Sequence, residues 1–176
     1  MRSVLFTCIF ISLFFLACLD KEDFSYIPHI EYKEMLLNDN SIIVKISFTD
    51  GDGDIGLKDG EEGPYAPCTD YHHNLFVDPY IMIDGEFKER VFLDHESKCF
   101  PKHAPDTGFY PDTNGYVFRT AYLVPEGKDK NLEGDMYVTL NDALITFEGD
   151  TVKFQIKLLD RAHNESNIVE TIVILP

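Results

Sequence analysis

The 176-residue chain has no tryptophan and only 15 Lys+Arg against 31 Asp+Glu, a formal net charge of −16. Without a cationic patch it has nothing to neutralise a phosphate backbone or an anionic headgroup layer, which argues against nucleic acid or anionic lipid as its main partner. The missing indole weakens any sugar-stacking platform. Equally absent are G-x-S-x-G, H-E-x-x-H and G-x-x-x-x-G-K-[ST], the motifs of a nucleophile elbow, a zinc protease helix and a phosphate loop. Glu86, Glu89, Glu126 and Glu133 sit beside turns or on outward positions, where solvation accounts for them. The expectation is a protein that is not an enzyme. Long apolar runs are missing too, apart from Val4 to Ala17 behind Arg2. That run is about half of a bilayer-spanning helix and suits the apolar region of a secretory signal.

The run ends in a small residue and a cysteine, Leu16-Ala17-Cys18, ahead of the charged stretch Asp20-Lys21-Glu22-Asp23. The junction resembles the lipobox of bacterial lipoproteins, in which the cysteine carries lipid and becomes the mature N-terminus. That resemblance implies lipidation at Cys18, anchoring to a membrane through the N-terminal lipid, and a division into signal peptide (1–17), acidic tether (18–26) and one folded domain (27–176). The charged stretch is similar to the signal that sends such lipoproteins of Bacteroidetes-type bacteria to the outer face, implying surface exposure on the outer membrane, with a periplasmic location as the alternative.

Cys68 and Cys99 then remain as an even pair. In an oxidising export compartment the expectation is a disulfide between them, stabilising by roughly 3–4 kcal/mol in the chain-entropy account. His72, His73, His95 and His103 flank the two cysteines, and the alternative is a tetrahedral Zn²⁺ site, although the spacings match no zinc signature.

The remainder reads as strands. Ile42, Val44, Ile46 and Phe48 alternate with polar or outward positions, and Val152, Phe154, Ile156 and Leu158 do so more cleanly. Both patterns have the period of a half-buried strand. Further candidates are Ile27–Leu36, Leu75–Ile83, Phe87–Phe92, Tyr116–Leu123, Met136–Leu140 and Ile168–Leu175. Asp84-Gly85 separates two of them as a tight hairpin would, and Glu148-Gly149-Asp150 precedes the cleanest. Pro28 suits an edge strand, and Pro79 implies an edge or a bulge. About eight short strands without a helical period predict an all-β fold, an antiparallel β-sandwich. Residues 49–72 and 97–115, rich in Gly, Asp and Pro, are two long loops, and loops of that length are usually functional or mobile.

The segment Leu159-Asp160-Arg161-Ala162-His163-Asn164-Glu165-Ser166-Asn167 resembles a D-R-A-G-N-x-S-N turn that closes many bacterial immunoglobulin-like domains, with His163 at the glycine position. Taken with Phe48-Thr49-Asp50-Gly51-Asp52-Gly53-Asp54-Ile55-Gly56, Asn74-Leu75-Phe76-Val77 and Val124-Pro125-Glu126-Gly127, the chain is similar to a family of Bacteroidetes-type lipoproteins. The resemblance implies a lipid-tethered immunoglobulin-like domain and carries no activity with it.

Asp50, Asp52 and Asp54 alternate with glycines. Ca²⁺ takes six to eight oxygens, which closely spaced carboxylates on a pliable loop supply, and Gly51 and Gly53 allow the chain to fold around an ion. An EF-hand is excluded, because Ile55 occupies the required glycine position and a strand precedes the loop. In a sandwich the loop after Phe48 and the loop after Leu159 share one end, so Asp160 and Asn164 are expected to join the cluster. The expected cofactor is one structural Ca²⁺. The leading function is then a non-catalytic binding module whose partner is an unidentified protein or glycan. Its candidate contact residues are Tyr65, Tyr71, Phe100, Phe109 and Tyr110 on the two loops. The alternatives are a structural envelope subunit docking through an edge strand, and a small hydrolase using the Cys/His loops.

Overall fold

Alternation builds both sheets. In the computed structural model, which describes residues 24–38, 40–67, 69–92, 113–123, 125, 130–141, 143, 147 and 149–175, ten strands follow in order. They are β1 (His29–Asn38), β2 (Ser41–Asp50), β3 (Leu75–Ile83), β4 (Glu86–Glu89), β5 (Val91–Phe92), β6 (Thr113–Asn114), β7 (Tyr116–Phe118), β8 (Leu132–Leu140), β9 (Thr151–Leu158) and β10 (Val169–Ile174). One antiparallel sheet has the order β1-β2-β8; the other runs β10-β9-β3-β4, with β7 also pairing β3; β5 and β6 form a separate short ladder. Ile42, Val44, Ile46 and Phe48 of β2 and Val152, Phe154, Ile156 and Leu158 of β9 are buried, while every second residue is partly exposed. Side chains from both sheets enter one apolar cluster that also holds Ile30, Leu75, Val77, Val138, Leu140 and Phe147. Each fully buried aliphatic side chain contributes about 1.5–3 kcal/mol. The two-sheet, all-β architecture with long loops agrees with the sequence reading. Among the described residues no helix is long and apolar enough to cross a membrane.

Several boundaries differ for local reasons. The expected strand Phe87–Phe92 breaks at Arg90, which still donates to the Pro79 carbonyl opposite it (2.8 Å), although proline has no N–H to return the bond. Tyr116–Leu123 pairs with β3 only to Phe118; beyond it the chain leaves the sheet, and Ala121 bridges to Leu57. β8 starts at Leu132 rather than Met136 because β2 extends to Asp50 and supplies partners along the whole length. Part of the expected 97–115 loop is ordered: Thr113 and Asn114 close a ladder on Val91 and Phe92.

Pro79 corrects the expectation of an edge or bulge. It lies in a central strand, opposite Phe154, where the neighbour on the other side changes from β7 (paired at 75–77) to β4 (paired at 80–83). A residue's N and C=O face the same neighbour in an antiparallel strand. The Pro79 carbonyl accepts from Arg90, so its nitrogen faces Arg90 too, one position beyond the last β4 pair, and the missing N–H falls where the β4 ladder ends. Asp84 and Gly85 both take positive φ (52° and 83°), the signature of a two-residue I′ hairpin.

No disulfide is found among the described residues, so the expected Cys68–Cys99 staple is withdrawn as a feature of this fold; both cysteines lie outside those residues. The polypeptide before β3 is held by other means. The Arg119 guanidinium donates to the carbonyls of His72 (2.5 Å), Tyr65 (3.2 Å) and Lys58 (2.7 Å). Cys18, with the rest of residues 1–23, also lies outside the described region.

At the other flank Asn167 acts as a substitute strand. Its amide accepts from the Ile30 N–H (2.8 Å) and donates to the Ile30 carbonyl (2.9 Å), tying the first strand to the segment that enters the last. Ile30 is fully buried, so losing this side chain strands two backbone groups. Asn167→Ala is expected to cost about 1–3 kcal/mol, read as a lower urea midpoint at unchanged slope.

Candidate metal centre

The parity that builds the core also builds the site. Asp50 continues the inward row Ile42, Val44, Ile46, Phe48, and Asp160 continues the inward row Val152, Phe154, Ile156, Leu158. Each row therefore ends in a carboxylate that faces inward: Asp50 is 0% exposed and Asp160 3%. An antiparallel bridge between Ile55 and Asp160 joins the two loops and brings Asp54 to the same place. One carboxylate oxygen from each of Asp50, Asp54 and Asp160 lies within 4.8 Å of the others. The expected meeting of the two loops is thus present for three of the five residues proposed as ligands.

The hydrogen bonding is incomplete in a specific way. Asp50 accepts from the Asp54 N–H through Oδ2 (3.0 Å), and Asp160 accepts from the Asn164 N–H (2.7 Å) and side-chain amide (2.7 Å). The Oδ1 atoms of Asp50, Asp52 and Asp54 are buried and have no hydrogen-bond partner. Among the described residues no ion pair reaches any of these aspartates. Arg161, the nearest arginine in sequence, is turned away onto Glu61. Burial pushes the Asp50 carboxyl up to about 6, and the charges of Asp52, Asp54 and Asp160 add to that rise. Asp54 is raised by burial and then by Asp160 and Asp52. An unpaired buried carboxylate is costly, and a hard cation surrounded by oxygens removes the cost.

Asp52 stands outside the group of three, yet its buried oxygen is unpartnered and its charge acts on both Asp50 and Asp54. Asn164 also clamps Asp160, donating to it from both its backbone N–H and its side-chain amide. Glu61, seven residues past Asp54, pairs with Arg161 rather than joining the cluster. The glycines make room for backbone. A Cβ on Gly51 would overlap the Phe24 carbonyl, and one on Gly53, which also has φ +69°, would overlap the Lys130 carbonyl. Gly51, Gly53 and Gly56 happen to have G-x-G-x-x-G spacing. That stretch leaves a strand for a bridged loop with no helix behind it, and its intervening acids would repel a pyrophosphate.

The loop residues expected to meet a partner have intramolecular ones. The Tyr65 hydroxyl donates to the Arg161 carbonyl (2.6 Å), and its ring lies 4.8 Å from the Arg161 guanidinium, which also faces Tyr122. Tyr71 stacks on His163 with ring centroids 3.5 Å apart. His163 takes the left-handed backbone (φ 66°) that glycine would supply in the turn motif. Phe100, Phe109, Tyr110, His95 and His103 lie outside the described residues. The His72 ring nitrogen accepts from Arg119 (3.1 Å), and burial, with His72 and Arg119 alongside, holds His73 below the usual imidazole range. The only cluster of possible metal ligands among the described residues is all-aspartate, so the zinc alternative gains no ligand set there. The Arg161–Glu61 pair and the holds made by Arg119 and Tyr122 escaped the sequence reading. No local spacing marks the strongest of them: Arg119 and His72 are 47 positions apart, Arg161 and Glu61 100.

With Asp54 raised in the same direction, the expected pH dependence of the cation-free protein is led by Asp50. Its folded-state value near 6 exceeds the unfolded value of about 3.9, so the cation-free native state takes up a proton more readily than the unfolded chain. Its contribution to stability is gained as pH falls through 6 and lost as pH rises through it. The melting temperature in chelator is expected to rise between pH 7.5 and 5. Asp50→Asn should raise the pH 7.5 value and flatten that rise, as followed by calorimetry.

No family model, curated protein or solved structure matches the chain, and the expectation of a signal-bearing, lipid-anchored outer-membrane lipoprotein is corrected to this extent: no finding supplies a membrane, lipoprotein or signal-peptide feature.

Proposed function

We propose that the chain is a non-catalytic, calcium-binding module with an immunoglobulin-like sandwich architecture. The strand order supports the architecture: β1-β2-β8 corresponds to A-B-E, and β10-β9-β3 to G-F-C, of an immunoglobulin-like domain. The calcium reading rests on one observation above all, the fully buried Asp50 whose Oδ1 has no partner and which sits among the oxygens of Asp54 and Asp160. An all-oxygen donor set on a loop suits Ca²⁺, whereas Zn²⁺ selects nitrogen and sulfur, and Mg²⁺ requires a tight octahedron and sheds water reluctantly. The ion's role is to order the tip, and the neighbouring loop from Leu57 to His73 is the surface through which such a module would meet a protein or glycan partner.

The test is titration calorimetry with Ca²⁺ and Mg²⁺, together with thermal melting in Ca²⁺ or chelator. A dissociation constant of about 10⁻⁴–10⁻³ M is expected, the range of extracellular modules. At a hundredfold excess over that constant Ca²⁺ should stabilise by about 2.7 kcal/mol, a rise of roughly 5–10 °C in melting temperature for a domain of this size. Chelator should reverse the gain, and Asp160→Asn should abolish most of it. Equal melting curves with and without Ca²⁺ would sink the proposal.

A further inference from the structure

We infer that cation binding at the aspartate cluster seats the loop Leu57–Pro67, so that this loop is presented in one fixed shape only when the cation is bound. The inference rests on the reading of Asp50, Asp54 and Asp160 as a Ca²⁺ site, and extends it to what the site controls. The coupling is carried by the turn Asp160–Asn164, which the cluster and the loop share. Asp160 gives its carboxylate to the cluster. The next residue, Arg161, joins the cluster's own loop to the segment Leu57–Pro67. Its N–H donates to the Asp54 carbonyl (3.2 Å), its carbonyl accepts from the Tyr65 hydroxyl (2.6 Å), and its guanidinium holds Glu61 through both carboxylate oxygens (2.9 Å for Nη1 to Oε2). Glu61 in turn accepts the Lys58 N–H (3.0 Å), which closes the near end of the loop. A ligand and a latch are therefore adjacent residues.

Without a cation, Asp54 and Asp160 repel each other across the Ile55–Asp160 bridge, and any displacement of the turn carries Arg161 with it. With the cation in place, the turn is fixed and Arg161 holds Tyr65 and Glu61 in register. Proteins couple two sites when both bias one element with discrete arrangements, and the coupling acts equally in both directions. The Asp160–Asn164 turn is that element here. A site of 10⁻⁴–10⁻³ M affinity fills at millimolar and empties at micromolar Ca²⁺, so the loop would be seated according to that difference.

The experiment is amide hydrogen exchange on the full chain in millimolar CaCl₂ or chelator, with calorimetric Ca²⁺ titration of the same samples. Tyr65→Phe is the informative variant, because it removes the hydroxyl on the Arg161 carbonyl without changing charge. Exchange at Leu57 and Lys58 should slow about fivefold or more on adding Ca²⁺, the lower end of ordinary coupling factors. In Tyr65→Phe that slowing should shrink and Ca²⁺ affinity fall by a matching factor, with exchange in β9 unchanged as the check on folding. Ca²⁺ binding with loop exchange unaltered would overturn the coupling and leave the metal site standing. A slowed loop with undiminished affinity in Tyr65→Phe would overturn it as well, and failure to bind Ca²⁺ at all would remove both proposals.

Discussion

Like charge buried in one place is the constraint on which the tip of this molecule depends. Each sheet sends an inward-facing row of aliphatic and aromatic side chains toward the same end, and each row terminates in an aspartate, Asp50 on one and Asp160 on the other. Asp54 arrives through the bridge that joins the two loops. The backbone around them satisfies part of this set and leaves an oxygen on each of Asp50, Asp52 and Asp54 without a hydrogen bond. Asn164 donates to Asp160 from its backbone and its side-chain amide, and the neighbouring Arg161 is committed to Glu61 rather than to the aspartates. A divalent cation answers both the charge and the missing bonds at once.

Much of the architecture was legible because period-two alternation is a direct record of which face is dry. β2 and β9 stand where Ile42–Phe48 and Val152–Leu158 put them, and the Asp84-Gly85 turn has the backbone its composition demands. Extending the same parity two residues past Phe48 and Leu158 points directly at Asp50 and Asp160, so the heart of the candidate site was written in the pattern of the strands. Boundaries were harder, since they depend on partners: β8 is long because β2 runs on to Asp50, and β7 is short because the chain after Phe118 departs toward Leu57. The Pro79 position misled for the same reason. Its tolerance comes from a change of neighbour, which one strand's sequence does not contain.

The loop clamp was not legible at all. Among the described residues Arg119 has no carboxylate partner and holds its segment through carbonyl oxygens, which any residue could supply. Arg161 sits in a turn whose composition suggests only solvent exposure, yet its guanidinium is flanked by Tyr65 and Tyr122. Aromatic residues on long acidic loops read equally well as free contact points or as packing beneath the loop. The structure gives Tyr65 and Tyr71 internal partners, and this shifts attention from individual rings to the shape of the whole loop they stabilise.

Proline at position 79 also bears on the margin of the second sheet. It offers no donor on its outer side, and it stands where that margin passes from β7, paired to β3 at 75–77, to β4, paired at 80–83. The β5–β6 ladder joins the chain just after β4 to the chain just before β7, so the two pieces along that margin are tied to each other as well as to β3.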